Sequence, residues 1–265
     1  MPAEPDTLTD AAFALPPRTT WAPGFADVVI HTTVKDRDRH QSYAAAKSGQ
    51  SEAALSLARD LLSTARLDDL RDIVARQTNH PILLPVTALE TTGFNAIPDA
   101  MARVVALRLG WPVSSGDIAQ SNTVGHTRAK SFNRFVTPAT FEGRAVSGGH
   151  YVLVDDHVGL GGTLANLKGY LETSGGIVIA MTTLTESRDG RQIALREESL
   201  SVLRSQYGQP LEAYWNTEFG HGLDCLTDVE ARILGREPSL DAITDRLAQA
   251  AIEARGRGLD PVFRG

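Results

Sequence analysis

The sequence predicts an α/β fold, an open parallel sheet with helices on both faces. Three apolar runs lack the alternation of a half-buried strand: Pro81 to Val86 (PILLPV), Tyr151 to Val154 (YVLV) and Ile177 to Leu184 (IVIAMTTL). Amphipathic helical patterns separate them. Continuous apolar strands joined by such helices are the mark of a sheet buried on both sides. With 42% hydrophobic and 22% charged residues, the 265-residue chain can supply the core that this requires.

Taken in order, residues 1–24 carry five of the 13 prolines and no sustained period, so they read as extended or poorly ordered. Phe25 to Thr33 (FADVVIHTT) is β-branched and reads as a strand, and the polar VKDRDRHQ after it as a loop. Ser51 is the expected N-cap of a helix that sets Ala54, Leu55, Ala58, Leu61 and Leu62 on one face; Asp69 to Gln77 continues as a second helical pattern. Pro98 to Leu109 has proline in its first turn and Gly110 as its stop. Thr163 to Ser174 stripes Leu164, Leu167 and Leu171, then ends at Gly175-Gly176. The tail is helical by pattern, with Leu240, Ile243, Leu247 and Ala251 marking its last stripe. The organisation expected is an N-terminal segment 1–24, a strand and helix 25–69, a core 70–190 and a helical extension 191–265.

Composition excludes several classes of function. Lys plus Arg is 26 against 32 for Asp plus Glu, a net charge of -6, which argues against nucleic acid or an anionic membrane as partner. A faint helix-turn-helix pattern in 226–247 lies in a region with eight acidic residues and six arginines from Asp224 onward, no basic face for DNA. The single Cys225 cannot form an intramolecular disulfide, and the seven histidines show no HxH or HExxH spacing for zinc. The first residues, MPAEPDTLTD, lack a signal-peptide pattern, and no run approaches the length of a membrane span. The expectation is a soluble, cytoplasmic protein.

The segment that carries chemistry is Tyr151 to Thr163, YVLVDDHVGLGGT. An apolar strand ends in two carboxylates, Asp155 and Asp156, and a glycine-rich turn leads into a helix. Ligands of open α/β sheets bind beyond the carboxyl ends of the strands. Consecutive backbone N–H groups at a helix N-terminus favour an anion, and glycines let the backbone curl around it. Two carboxylates beside a phosphate cradle make sense when the ligand is a sugar phosphate, whose vicinal hydroxyls they accept. A Walker A loop would need a lysine after Gly162, and a dinucleotide fingerprint would need glycine where Leu164 stands. A plain β-α turn with two solvated aspartates is the alternative.

YVLVDDHVGLGGT resembles the PRPP-binding motif of the type I phosphoribosyltransferases, and the resemblance extends over roughly residues 70–190. It implies the fold of that family, with N-terminal and C-terminal additions as a hood. It implies that Asp155 and Asp156 hold the ribose hydroxyls, and that Val158, Gly159, Leu160, Gly161, Gly162 and Thr163 hold the 5′-phosphate. The turn TALETTGFNA after PILLPV matches the family's pyrophosphate turn, with Thr91, Thr92, Gly93 and Asn95 as donors. Mg²⁺ is implied as cofactor, held by PRPP and water near the acidic pair. The partners implied are PRPP and a small-molecule acceptor; a homodimer is compatible with this reading.

The departures are informative. Gly159 and Leu160 stand where many members have two threonines, which removes two hydroxyls. Members acting on 6-oxopurines usually carry aspartate at the Gly159 position, so a 6-oxopurine acceptor is not expected here. The pyrophosphate turn lacks the family's basic residue. Gln120 to Glu142, placed where the family has a mobile loop, concentrates His126, Arg128, Lys130 and Arg134. Arg128 and Lys130 are candidates for stabilising the departing pyrophosphate, and His126 and Arg134 for binding it. His157, Lys35, Arg37, His40 and Phe219-Gly220-His221-Gly222 are weaker candidates around the same site. The function expected is phosphoribosyl transfer to an acceptor with release of pyrophosphate. A PRPP-sensing regulator or a phosphoribosyl or nucleotide hydrolase is the alternative.

Overall fold

The computed structural model describes residues 15–87, 89–90, 93–114, 116–122, 124 and 131–263. The elements run β1 (Val29–Ile30), α1 (Val34–Arg39), α2 (Tyr43–Lys47), α3 (Ser51–Leu61), α4 (Thr64–Ala75), β2 (Pro81–Pro85), β3 (Leu89–Glu90), β4 (Gly93–Phe94) and α5 (Ile97–Leu109). They continue as β5 (Ile118–Gln120), α6 (Ser131–Val136), β6 (Phe141–Gly143), β7 (His150–Val158), α7 (Gly162–Thr173), β8 (Ile177–Glu186), α8 (Glu197–Phe219), α9 (Asp228–Leu234) and α10 (Leu240–Gly256).

The main sheet has the order β1-β8-β7-β2, and every pairing in it is parallel. The α/β class with a helix-flanked parallel sheet is therefore what the chain adopts. The reason is visible in β7. Val152 and Val154 join the core beneath α3, α4 and α5, whereas Tyr151 and Leu153 join the core that α7 covers on the other face. Successive residues of a strand point to opposite faces, so YVLV has no face left for a polar residue. A bulge in β8 opposite Tyr151 and Val152 gives Ile179 no partner. Ile179 and the next residue, Ala180, thus both enter the core beneath α3 to α5.

Several boundaries differ from those expected. The strand expected over Phe25–Thr33 shrinks to Val29–Ile30, because Phe25 instead packs edge-on against Trp21 and Val28 bonds the Arg191 carbonyl. VKDRDR is not a loop but α1, nucleated by Thr33, whose hydroxyl accepts from the Asp36 N–H. Ser51 is the first residue of α3 and Gln50 its cap. The second helix starts earlier than Asp69, at Thr64, capped by Ser63. The motif strand does not stop at Val154; pairing with β8 runs on through Val158.

The C-terminal extension builds a core of its own from α6, α8, α9 and α10 around Trp215, which is 1% exposed and meets Phe135 edge-on. Helix α8 is kinked at Gly208, whose φ of 60° breaks the helical path just before Pro210. Part of the segment expected as a mobile loop belongs to this core. Residues 131–136 form α6, with Phe132, Phe135 and Val136 buried, because their apolar side chains match the face that α8 and α10 present. Residues 15–22 form neither helix nor strand, but they are strapped down. Pro17 and Arg18 cross α7 at Gly169, where a Cβ would lie 2.1 Å from the Pro17 carbonyl oxygen.

Candidate active site

The carboxyl ends of β7 and β8 and the N-terminus of α7 converge. Asp155 and Asp156 still lie within β7, so strand alternation sends them to opposite faces. Both are more than nine-tenths buried. The Asp156 carboxylate accepts from Lys47 Nζ of α2 at 2.8 Å and bonds the Asn95 side chain. Asp155 Oδ1 accepts the backbone N–H of Asp156 at 2.8 Å. Burial and the adjacent Asp156 charge push the Asp155 carboxyl well above the usual carboxylate range. Burial acts the same way on Asp156, but the Lys47 charge together with the hydrogen bonds from Lys47 and Asn95 outweighs it and holds this carboxyl low. The two carboxyls are thus shifted in opposite directions, Asp155 toward the protonated form and Asp156 toward the ionised one.

The loop follows directly. Gly161 takes φ +84° at the N-cap of α7, a backbone that a side chain would strain. The helix opens at Gly162, one residue before Thr163, leaving the amides of its first turn without helical acceptors. Leu160 turns its side chain inward, 3% exposed, so this position of the loop is apolar. At Gly159 the space of a side chain is taken from elsewhere. A Cβ there would lie 3.3 Å from the Arg134 guanidinium and 3.5 Å from Ser187 Oγ. Arg134 therefore leans on the loop from α6, partly buried and beside Arg188, and both circumstances lower its pKa. A narrow cavity of about 40 Å³ lies between Arg134, Asp155, His157 and the loop backbone.

His157 meets Thr185 Oγ1 through Nδ1 at 2.8 Å and Ser187 Oγ through Nε2 at 3.2 Å. Burial lowers its pKa, against the pull of Asp156. Arg37 of α1 donates to the same Thr185 hydroxyl at 2.9 Å. Lys35 contributes no such contact among the described residues, His40 pairs with Asp60 away from the strand ends, and the 219–222 segment is the turn that ends α8.

The loop is gripped from behind by both flanking segments. Thr227 Oγ1 donates to the Leu160 carbonyl at 2.5 Å while accepting the Glu230 N–H, and the Glu230 side chain accepts the Thr227 N–H, a capping box. Glu230 also pairs with Arg18 through two hydrogen bonds, and Arg18 donates to Asn166 of α7. A Cβ on Gly162 would lie 2.8 Å from the Glu230 carboxylate.

Of the site residues expected from sequence, Asp155, Asp156, the 158–163 loop and Arg134 come together, and Asn95 joins them through Asp156. Gly93 lies in the short β3–β4 pair. Thr91, Thr92, His126, Arg128 and Lys130 lie outside the described residues. Sequence reasoning missed Lys47, Arg18, Thr227 and Glu230. Lys47 follows three alanines, and only the close approach of α2 to α3 through buried Ala46 and Ala54 gives it meaning. The S/T-x-x-E pattern at Thr227–Glu230 was the one available signal. Among the described residues, no group of three or more His, Cys, Asp or Glu could hold a metal ion, and no helix is long and apolar enough to cross a membrane.

No protein-family model matches the chain. Protein TraN of Escherichia coli is 38% identical over 240 residues, 91% of this chain and 53% of TraN. A protein of Haemophilus influenzae called "Uncharacterized protein" is 35% identical over 154 residues, 58% of this chain. The chain spans about half the length of TraN and about a third of the Haemophilus protein. Among solved structures, an adenine phosphoribosyltransferase aligns at 14% identity with a TM-score of 0.31, over 48% of this chain and 72% of that one. UMP synthase of Leishmania donovani aligns at 15% identity with a TM-score of 0.30, over 69% of this chain and 32% of that one.

Proposed function

We propose that this chain binds PRPP at the end of β7 and transfers its phosphoribosyl group to a small-molecule acceptor, releasing pyrophosphate. The observation that carries the reading is the junction itself. A buried carboxylate pair, one member held by Lys47, runs straight into a glycine loop whose free amides open α7, with an arginine leaning on that loop. The amides and Arg134 suit a phosphate dianion. Asp156 suits the acceptance of hydrogen bonds from ribose hydroxyls.

Cleavage at C1 of the ribose passes through an oxocarbenium-like state, as in glycoside hydrolysis. Asp156 places negative potential near that developing cation, and Lys47 favours its charged form. Arg128 and Lys130 are assigned to the departing pyrophosphate. Mg²⁺ is assigned to the substrate: Asp156 already holds Lys47, so the pair suits an ion bound through PRPP oxygens and water better than one bound directly. The acceptor is proposed to be other than a 6-oxopurine, because Gly159 carries no proton-accepting group.

Calorimetric titration of PRPP with Mg²⁺ tests this. Binding to the wild type, strongly weakened in a folded Asp155→Asn, Asp156→Asn variant, supports the assignment; equal affinity in the two removes it.

A further inference from the structure

A second cavity lies on the far side of the 187–190 turn from the glycine loop. It occupies about 760 Å³ between α6, the 187–190 turn, α9 and α10. That is within the roughly 300–1,000 Å³ range of small-molecule sites. In a chain with a net charge of -6, its wall carries four arginines against three carboxylates. Arg246 is satisfied, paired with Glu237 at 2.8 Å and stacked 5.5 Å over the Phe132 ring. Arg188 bonds a neutral partner, the Ser131 hydroxyl, and Arg236 stands exposed on the rim.

Arg232 is the unusual one. Its Nε lies 3.0 Å from an Asp228 oxygen, and one terminal nitrogen lies 3.4 Å from Asp189. Yet Nε and the second terminal nitrogen are buried without a hydrogen bond, so the Asp228 contact is an ion pair whose N–H is not aimed at its partner. Buried donors in native proteins find acceptors. A second observation concerns the turn that forms the adjoining wall. Arg188 and Asp189, with φ of 57° and 60°, are the only non-glycine residues in the left-handed region among those described. Such backbone persists only where its surroundings enforce it. Here the Ser187 N–H bonds the Val158 carbonyl and Gly190 packs so closely that a Cβ would lie 2.7 Å from the same oxygen. The strain holds Arg188 at the cavity.

We propose that this cavity binds a small organic molecule through an oxyanion group, a phosphate ester or a carboxylate. The planar fork of Arg188 grips its oxygens, Arg236 closes on it from the rim, and Arg232, whose unbonded nitrogens are sealed from solvent, backs the site with its charge. The site is separate from the loop cavity, with which it shares no lining residue, and it stands whether or not the PRPP reading does.

The test is calorimetric titration with inorganic pyrophosphate and, separately, with citrate. Three proteins are compared: the wild type, an Arg188→Gln, Arg232→Gln variant, and the Asp155→Asn, Asp156→Asn variant. The expected result is binding of one anion that the arginine pair weakens roughly tenfold or more, the size of a lost charged hydrogen bond, and that the aspartate pair leaves in place. The anion that binds identifies the group as phosphate or carboxylate. Because Arg232→Gln leaves Asp228 less compensated, the exposed Arg236→Gln is measured too, with a smaller weakening expected. Absence of binding by either anion at roughly millimolar concentration overturns the proposal. So does binding that both arginine variants leave unchanged.

Discussion

Lys47 donates to Asp156 at 2.8 Å across 109 residues of chain, and this contact is the main opposition to burial at Asp156. Burial and the neighbouring charge push Asp155 up, whereas Lys47, with Asn95, draws Asp156 down.

Lys47→Met is therefore expected to strand the Asp156 charge. Losing one partner of a fully buried pair costs about 3–5 kcal/mol. The Lys47 side chain is 28% exposed, and screening brings the expectation down to about 1–3 kcal/mol. Urea unfolding measures it. Adding Asp156→Asn should recover much of the loss, because the stranded charge is then gone; a double variant no better than the single one would show that Lys47 stabilises by packing alone.

Acid should destabilise the fold over a defined window. Burial holds His31 at about 4, helped by Arg66, and holds His221 at about 4, helped by Arg18. A folded pKa below the unfolded one means the unfolded chain binds more protons, so stability is full above the unfolded value and is lost as pH falls. The loss should run from about 6.5, the unperturbed histidine value, toward 4, at up to about 1.4 kcal/mol per pH unit for each histidine. Urea midpoints across this range should flatten when both residues are replaced by glutamine in a variant that still folds.

Thr227→Val is expected to loosen the loop without touching the ligand. It removes the donor to the Leu160 carbonyl and the N-cap of α9. An N-cap loss is typically worth about 0.5–2 kcal/mol. PRPP affinity should fall together with stability, whereas Thr227→Ser should retain both.

Hypoxanthine and guanine are expected to release no pyrophosphate from PRPP at an ordinary enzymatic rate. General-base assistance is worth roughly 10²–10⁴-fold, and Gly159 supplies none. Turnover with either purine would transfer that role to another group, of which His157 is the nearest candidate.

Trypsin separates the two halves of the basic segment. Arg134 sits in α6 with its neighbours buried, so its peptide bond should resist cleavage with and without ligand. Replacing Arg128 and Lys130 by alanine should lower turnover more than PRPP affinity, as expected of groups that act while pyrophosphate leaves. An equal loss in both would make them plain binding residues.

The sheet was legible because β7 and β8 are buried on both faces, and such burial leaves a continuous apolar run in the sequence. The loop was legible because Gly161 needs a left-handed backbone and Gly162 leaves no room for a side chain. What was hidden depends on tertiary approach. No local pattern says that Lys47 reaches Asp156, or that α6 leaves the supposed mobile loop to pack against Trp215. Helix α1 was missed for a different reason: VKDRDR has no buried residue, so it shows no amphipathic period, and its cap at Thr33 was read as the end of a strand.

Arg18 and Glu230, which meet behind the loop, are 212 residues apart in sequence. Closing so long a span costs entropy that local contacts cannot return until most of the chain is in place. The Leu160 carbonyl is fixed by Thr227, and Gly162 faces Glu230, so the geometry of the cradle depends on segments made both early and late in synthesis. A nascent chain that has produced YVLVDDHVGLGGT but not α9 has the motif without its clamp. The grip on this loop thus closes only once both Arg18 and α9 are in place, so a chain that stops short of α9 lacks it whatever its own loop sequence.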